Sequence, residues 1–156
     1  MPGTGALAQI AFLPYAPAYG TWAPFANMTR YLPTVVAALL GLAFVAFGLM
    51  FLLDMVPPQE PPPEGSPTAL FMGAMFPTHY LHFVKVLEVL GGLLVAIPRT
   101  RNFGLLILVP IVVNILAFHI FIAKGQGLLE PPLLIIVALV AYLLWTERRA
   151  IAGLAR

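Results

Sequence analysis

Four stretches of the chain run for roughly 20 residues with almost no charge, the length a helix needs to cross the ~30 Å hydrocarbon core of a bilayer. They predict membrane-spanning helices over 31–55, 77–97, 102–123 and 128–146. Arg30 and Asp54 bracket the apolar run of the first, and Gly41 and Gly48 lie two turns apart on one of its faces, a small-residue row that lets helices approach closely. Pro77 is expected in the opening turn of the second span, and Pro98 and Arg99 end it. Pro110 is expected to kink the third. Pro131 and Pro132 fall at the start of the fourth, and Tyr142 and Trp145 at its aromatic end. Between the first two spans, the proline-dense segment 56–67 reads as a stiff, acidic, extended loop, followed by a short helix over Thr68–Phe76.

Outside the spans the two ends differ. Residues 1–30 form an arm without charge before Arg30, in which Phe12, Tyr15, Tyr19, Trp22 and Phe25 alternate with Pro14, Pro17 and Pro24. Such a segment suits the membrane interface or a partner surface. It lacks the basic start of a cleaved signal peptide. Residues 148–156 read as a short basic tail. Arg30, Arg99, Arg101, Arg148, Arg149 and Arg156 fall on one side of the predicted topology, and Lys124, with Glu60, Glu64 and Glu130, on the other. The positive-inside rule then places both termini in the cytoplasm. The expected fold class is all-α: a polytopic four-transmembrane-helix bundle.

Composition agrees. Hydrophobic residues make up 61% of the 156 and charged ones 9%, where a soluble domain carries about 25% charged. Lipid is the expected cover. The scattered basic residues argue against nucleic acid. The absence of cysteine removes disulfides, thiolate metal ligands and covalent haem attachment. No phosphate loop, zinc motif or serine triad stands in the sequence, so no catalytic residues and no metal ligands are assigned.

The informative residues are polar ones inside the spans. Leu81, Lys85, Glu88 and Gly92 share one stripe of the second helix. A lone charge at mid-membrane costs about 2.5–3.5 kcal/mol on the lenient insertion scale, so the stripe must face the bundle interior, water or protein. Lys85 and Glu88 pair with each other to fix packing, or form a head-group or proton site, or meet another subunit. Asn114, His119, His79, His82 and Asp54 all fall in the outer half of the bilayer or at its rim. They outline a polar pocket among spans one to three, in which Lys85 or His119 would donate to a quinone carbonyl. The plainer alternative has Asn114 and His119 hydrogen-bonding across helices. For haem, His82 and His119 are the one conceivable pair, and nothing in their spacing singles them out; chlorophyll ligation is no better supported.

The segments Phe71–Met75, Tyr80–Leu81 and Val84–Leu94, and then Val109–His119, resemble the DoxX-like membrane proteins. The resemblance covers about Leu32–Ala152 and rests on K-x-x-E-x-x-G-G, from Lys85 to Gly92, and P-x-x-x-N-x-x-x-x-H, from Pro110 to His119. It implies a four-helix membrane architecture, a bacterial inner-membrane location, an association with thiosulfate:quinone oxidoreduction or other redox assemblies, and Lys85, Glu88, Asn114 and His119 as positions to carry over. Phe51 stands where many relatives carry a basic residue, which weakens any borrowed thiosulfate chemistry; His79 replaces a common glycine.

Together these lead to an accessory subunit, without catalytic activity of its own, of a larger membrane redox or electron-transport complex. Its partners are lipid and other membrane subunits, with residues 1–30 as a docking arm. A small quinone-interacting oxidoreductase component using Lys85, Glu88 and His119 is the alternative. A small-solute transporter is the third reading, set back by the absence of an inverted repeat.

Overall fold

A computed structural model describes residues 23–58 and 60–154. Packing divides the chain into two units, Met1–Arg30 and Tyr31–Arg156. The expected interfacial arm lies mostly outside the described residues; its last part, from Ala23, is already helical.

Among the described residues all regular structure is helical. The elements are α1 (Ala23–Leu52), α2 (Pro67–Met75), α3 (Tyr80–Ala96), α4 (Arg101–Ala117) with a π-helical turn over Phe118–Ile122, and α5 (Pro131–Leu154). Tyr31–Leu52 and Arg101–Ile122 are each long and apolar enough to cross a membrane. α2 and α3 meet at a 79° bend and together make a third candidate, either a broken span or a re-entrant loop. Only 33% and 17% of the first two stretches are buried. Leucines and phenylalanines such as Leu42, Leu106 and Phe121 therefore stand exposed, as expected of surfaces solvated by lipid.

The predicted boundaries shift for identifiable reasons. α1 begins at Ala23 rather than 31, with Pro24 in its first turn, where a missing N–H is no loss. It ends at Leu52 rather than 55. Asp54 adopts a left-handed φ of 52°, its N–H donates to the Phe51 carbonyl and the Met55 N–H to that of Met50, a Schellman stop. α2 starts one residue before its expected place, on Ser66, whose hydroxyl accepts from the Ala69 N–H at 3.1 Å.

α3 begins at Tyr80, so Pro77 is not in its opening turn. Pro77 has no N–H to continue α2, the Thr78 hydroxyl instead donates to the Ala74 carbonyl at 2.8 Å, and His79, at φ 56°, turns the chain. α4 runs helically through Pro110, and the departure from α geometry falls beyond it, at Phe118–Ile122. α5 starts at Pro131 rather than 128, after a connection that uses positive φ at Lys124, Gly125 and Gly127. It continues to Leu154, so most of the expected basic tail is helix. The Arg148 guanidinium donates to the Trp145 carbonyl at 2.7 Å and covers the indole.

The core unites Ala37, Leu40 and Phe44 of α1, Val95 of α3, Leu105, Leu108 and Val112 of α4, and Val140 and Leu143 of α5. α3 sits between two neighbours because of its adjacent glycines. A Cβ on Gly92 would lie 2.8 Å from the Gly41 carbonyl of α1, and one on Gly91 2.7 Å from Leu108 of α4. Gly104 returns the contact from α4, 2.8 Å from the Gly91 carbonyl. Gly48 is seated against Val89 and the Lys85 carbonyl, so the glycine row of α1 is the packing groove expected of it.

Candidate functional site

The Gly41–Gly92 and Gly48–Val89 contacts fix α3 against α1 and turn the Lys85–Glu88 stripe inward. Glu88 is the most buried charged residue among those described, at 3% exposure. Both its oxygens accept from the Lys85 ammonium, at 3.0 and 2.8 Å. The pair is local, one helical turn, and uses two of the three ammonium hydrogens. The Phe51 ring centroid lies 5.8 Å from Nζ, within reach of a cation–π attraction.

Two cavities flank this pair. One, of about 380 Å³, brings Lys85 and Glu88 together with His119 between Phe44, Phe47 and Phe51. Pro132, Leu133 and Ile136 close its other side, so α5 lines a pocket that the sequence places among the first three spans. The other, of about 220 Å³, holds Lys85 and Glu88 with Asn114, Tyr80 and Met75. The structure thus gathers Lys85, Glu88 and His119 into one site and sets Asn114 on the opposite flank of the ion pair.

His82 belongs to a third space. A cavity of about 770 Å³ lies under the proline-rich loop, between Pro57, Glu60, Pro62, Thr68 and Phe118, and His82 lines it with Asp54. Its imidazole meets the Phe51 ring edge-on at 5.3 Å and that of His79 at 5.1 Å. Its Nδ1 is buried with no hydrogen-bond partner among the described residues. His82 and His119 therefore line different cavities. Among the described residues no group of three or more His, Asp or Glu side chains is placed to hold a metal ion.

His119 makes a hydrogen bond that does not cross to another helix. Its Nδ1 lies 2.7 Å from the Gln126 carbonyl, seven residues along the same chain rather than on another helix. It sits in the π-helical turn, a distortion that recurs at functional sites. Gly127, at φ 73°, lies so near the ring that a Cβ there would come within 2.9 Å of Cε1. Asn114 makes no side-chain hydrogen bond among the described residues, so the cross-helix tie expected of it is absent there.

A second charge cluster surrounds Arg101, which the sequence marks only through the positive-inside rule. Arg101, 7% exposed, donates to Glu147 of α5 at 2.8 Å and to the Thr34 hydroxyl of α1 at 3.3 Å. No family model, curated protein or solved structure matches this chain.

Two signals were available for what was missed. Phe44, Phe47 and Phe51 follow i, i+3, i+7 spacing and share a helix face. Gly125-Gln126-Gly127 marks a tight turn whose central carbonyl is free to accept. Nothing local marks Glu147 as the partner of Arg101, which lies 46 residues away.

Proposed function

We propose that this chain is a DoxX-like, four-span protein of the bacterial inner membrane with both termini cytoplasmic, and that its Lys85–Glu88–His119 cavity takes the head group of a quinone-class ligand within a membrane redox assembly. The observation that carries this reading is the meeting of an ammonium and an imidazole on one phenylalanine-walled space of about 380 Å³. Ligand sites are mostly apolar pockets of about 300–1,000 Å³ with a few convergent polar groups. α3 and α5 would supply the two further spans, α3 through its bent continuation from α2 and α5 through the charge-free part that begins at Pro131.

The test is binding of a short-chain quinone analogue to the full chain in lipid nanodiscs. Lys85→Ala should weaken it by about tenfold, the loss of one hydrogen bond to a buried group, and His119→Ala should change it measurably by removing a polar wall of the cavity. Unchanged affinity in both variants removes the ligand reading. For the topology, cysteines introduced at Arg99 and Arg148 should label from the same side of the membrane; labelling from opposite sides overturns it.

A second reading is favoured by the pair geometry. Lys85 and Glu88 satisfy each other through two hydrogen bonds, as a purely structural element of an accessory subunit would. Migration of the gently extracted protein within a much heavier assembly, with no quinone-dependent change, supports that reading. Deleting residues 1–25 should then release the chain from its partner; an assembly that survives the deletion gives the arm another purpose.

A further inference from the structure

We infer that the Lys85–His119 cavity selects a hydroquinone, an aromatic carrying hydroxyl donors, over the matching quinone; this rests on the quinone-class reading above. A backbone carbonyl only accepts hydrogen bonds, so the 2.7 Å contact with the Gln126 oxygen makes His119 Nδ1 the donor. In the neutral imidazole the other nitrogen, Nε2, is then an acceptor, and it is the one left for a ligand.

The surroundings keep that tautomer in place. The Gly125 N–H donates to the His119 carbonyl at 2.7 Å and closes the turn around the residue. Gly127 fits against Cε1 and Nδ1 with no room for a side chain. Rotating the ring to present Nδ1 to the cavity would leave the Gln126 carbonyl without its partner.

On the facing side Lys85 offers the complementary group. Glu88 takes two of its hydrogens, at 3.0 and 2.8 Å, and one remains. Lys85 and His119 both line the cavity beside three phenylalanine rings, and the groups they have left over are one donor and one acceptor. A quinone has two acceptor oxygens. One would meet Lys85, and the other would face the Nε2 lone pair, acceptor against acceptor. A hydroquinone accepts from Lys85 through one hydroxyl oxygen and donates to Nε2 through the other hydroxyl. This reverses the role expected from sequence, in which His119 donates to a carbonyl.

The experiment compares three ligands of one ring size on the full chain in nanodiscs, without oxygen and at pH 8: a short-chain hydroquinone, its quinone and its dimethyl ether. Calorimetry should show the hydroquinone binding about tenfold more tightly than either of the others, the penalty for unmatched buried polar groups. Equal affinities, or a preference for the quinone, overturn the inference and leave the quinone-class reading standing. No binding by any of the three removes both. In His119→Leu the preference should collapse while the Lys85 contact remains; a preference that persists overturns the role of His119. Because that variant could fold poorly, the unaltered protein provides a second readout. Nitrogen-15 labelling of its three histidines should give His119 the Nδ1–H tautomer; an Nε2–H signal for His119 overturns the proposal.

Discussion

Among the described residues two ion pairs are partly buried, and they are built in opposite ways. Arg101 reaches from the first turn of α4 to Glu147 on α5 and Thr34 on α1, so one guanidinium joins three helices. Lys85 reaches only to Glu88, one turn along its own helix. The first pair holds elements together; the second ties no second element and has a cavity on each side. Burial of charge alone does not distinguish a brace from a site. The sequence distance between partners does, together with the space beside them.

The strongest way to break the comparison is to remove the brace. Arg101→Met should lower the unfolding free energy by about 3 kcal/mol, the lower end expected when one partner of a buried pair is lost, because Glu147 keeps 23% of its side chain exposed. Denaturant unfolding in mixed micelles measures it. Adding Glu147→Leu should restore much of that loss, since an apolar replacement of both partners leaves no unpaired charge. A single variant as stable as the parent would show that the tie between α1, α4 and α5 contributes nothing.

Next in size is the contact that orients the site. Gly92→Leu places a side chain where the Gly41 carbonyl is 2.8 Å from the position of a Cβ. Overpacking of this kind costs about 1–3 kcal/mol, and here it also pushes α3 away from α1. Both stability and quinone-analogue affinity should fall. If affinity falls while stability holds, α3 has yielded by moving, and the glycine row serves the cavity more than the fold.

Much of this architecture was legible in the sequence. Long charge-free runs give α1 and α4, the small-residue row of Gly41 and Gly48 gives the close approach of α1 to α3, and the proline run gives the loop that roofs the cavity lined by His82. Period and composition carry that information locally. The helix ends were less legible, because Asp54 and His79 stop or start helices through left-handed φ, which neither residue type announces. In the site, Lys85 and Glu88 were visible as charges in an apolar helix. The His119 partner was not, because a backbone carbonyl has no sequence identity. Arg101 with Glu147 was invisible for a related reason: a long-range pair depends on how helices cross, which no single stretch encodes.

Removing the local pair sharpens the contrast from the other side. The double replacement Lys85→Met with Glu88→Leu should change stability by less than about 1 kcal/mol, as apolar substitutes of similar volume often do for buried pairs. The same protein should bind the quinone analogue about tenfold or more weakly, having lost the ammonium. Unfolding curves and calorimetry on one preparation give both numbers. A large loss of stability with unchanged affinity would make Lys85–Glu88 a second brace.

The smallest effect is expected at Phe51, which lines both the polar pocket and the loop-roofed cavity. Its ring is 5.8 Å from the Lys85 ammonium and packs on His82 at 5.3 Å and on Phe76 at 6.0 Å. Phe51→Leu keeps an apolar wall but removes the π face, a loss of about 0.5–1 kcal/mol from the cation–π attraction at a partly exposed lysine. Ligand affinity should fall by roughly threefold. A fall as large as that of the Lys85 variants would mean that the partition between the two cavities, rather than the ammonium, sets the affinity. The ligand would then be held mainly by the shape of the aromatic wall, and the local ion pair would revert to the structural role that its self-sufficient geometry also permits.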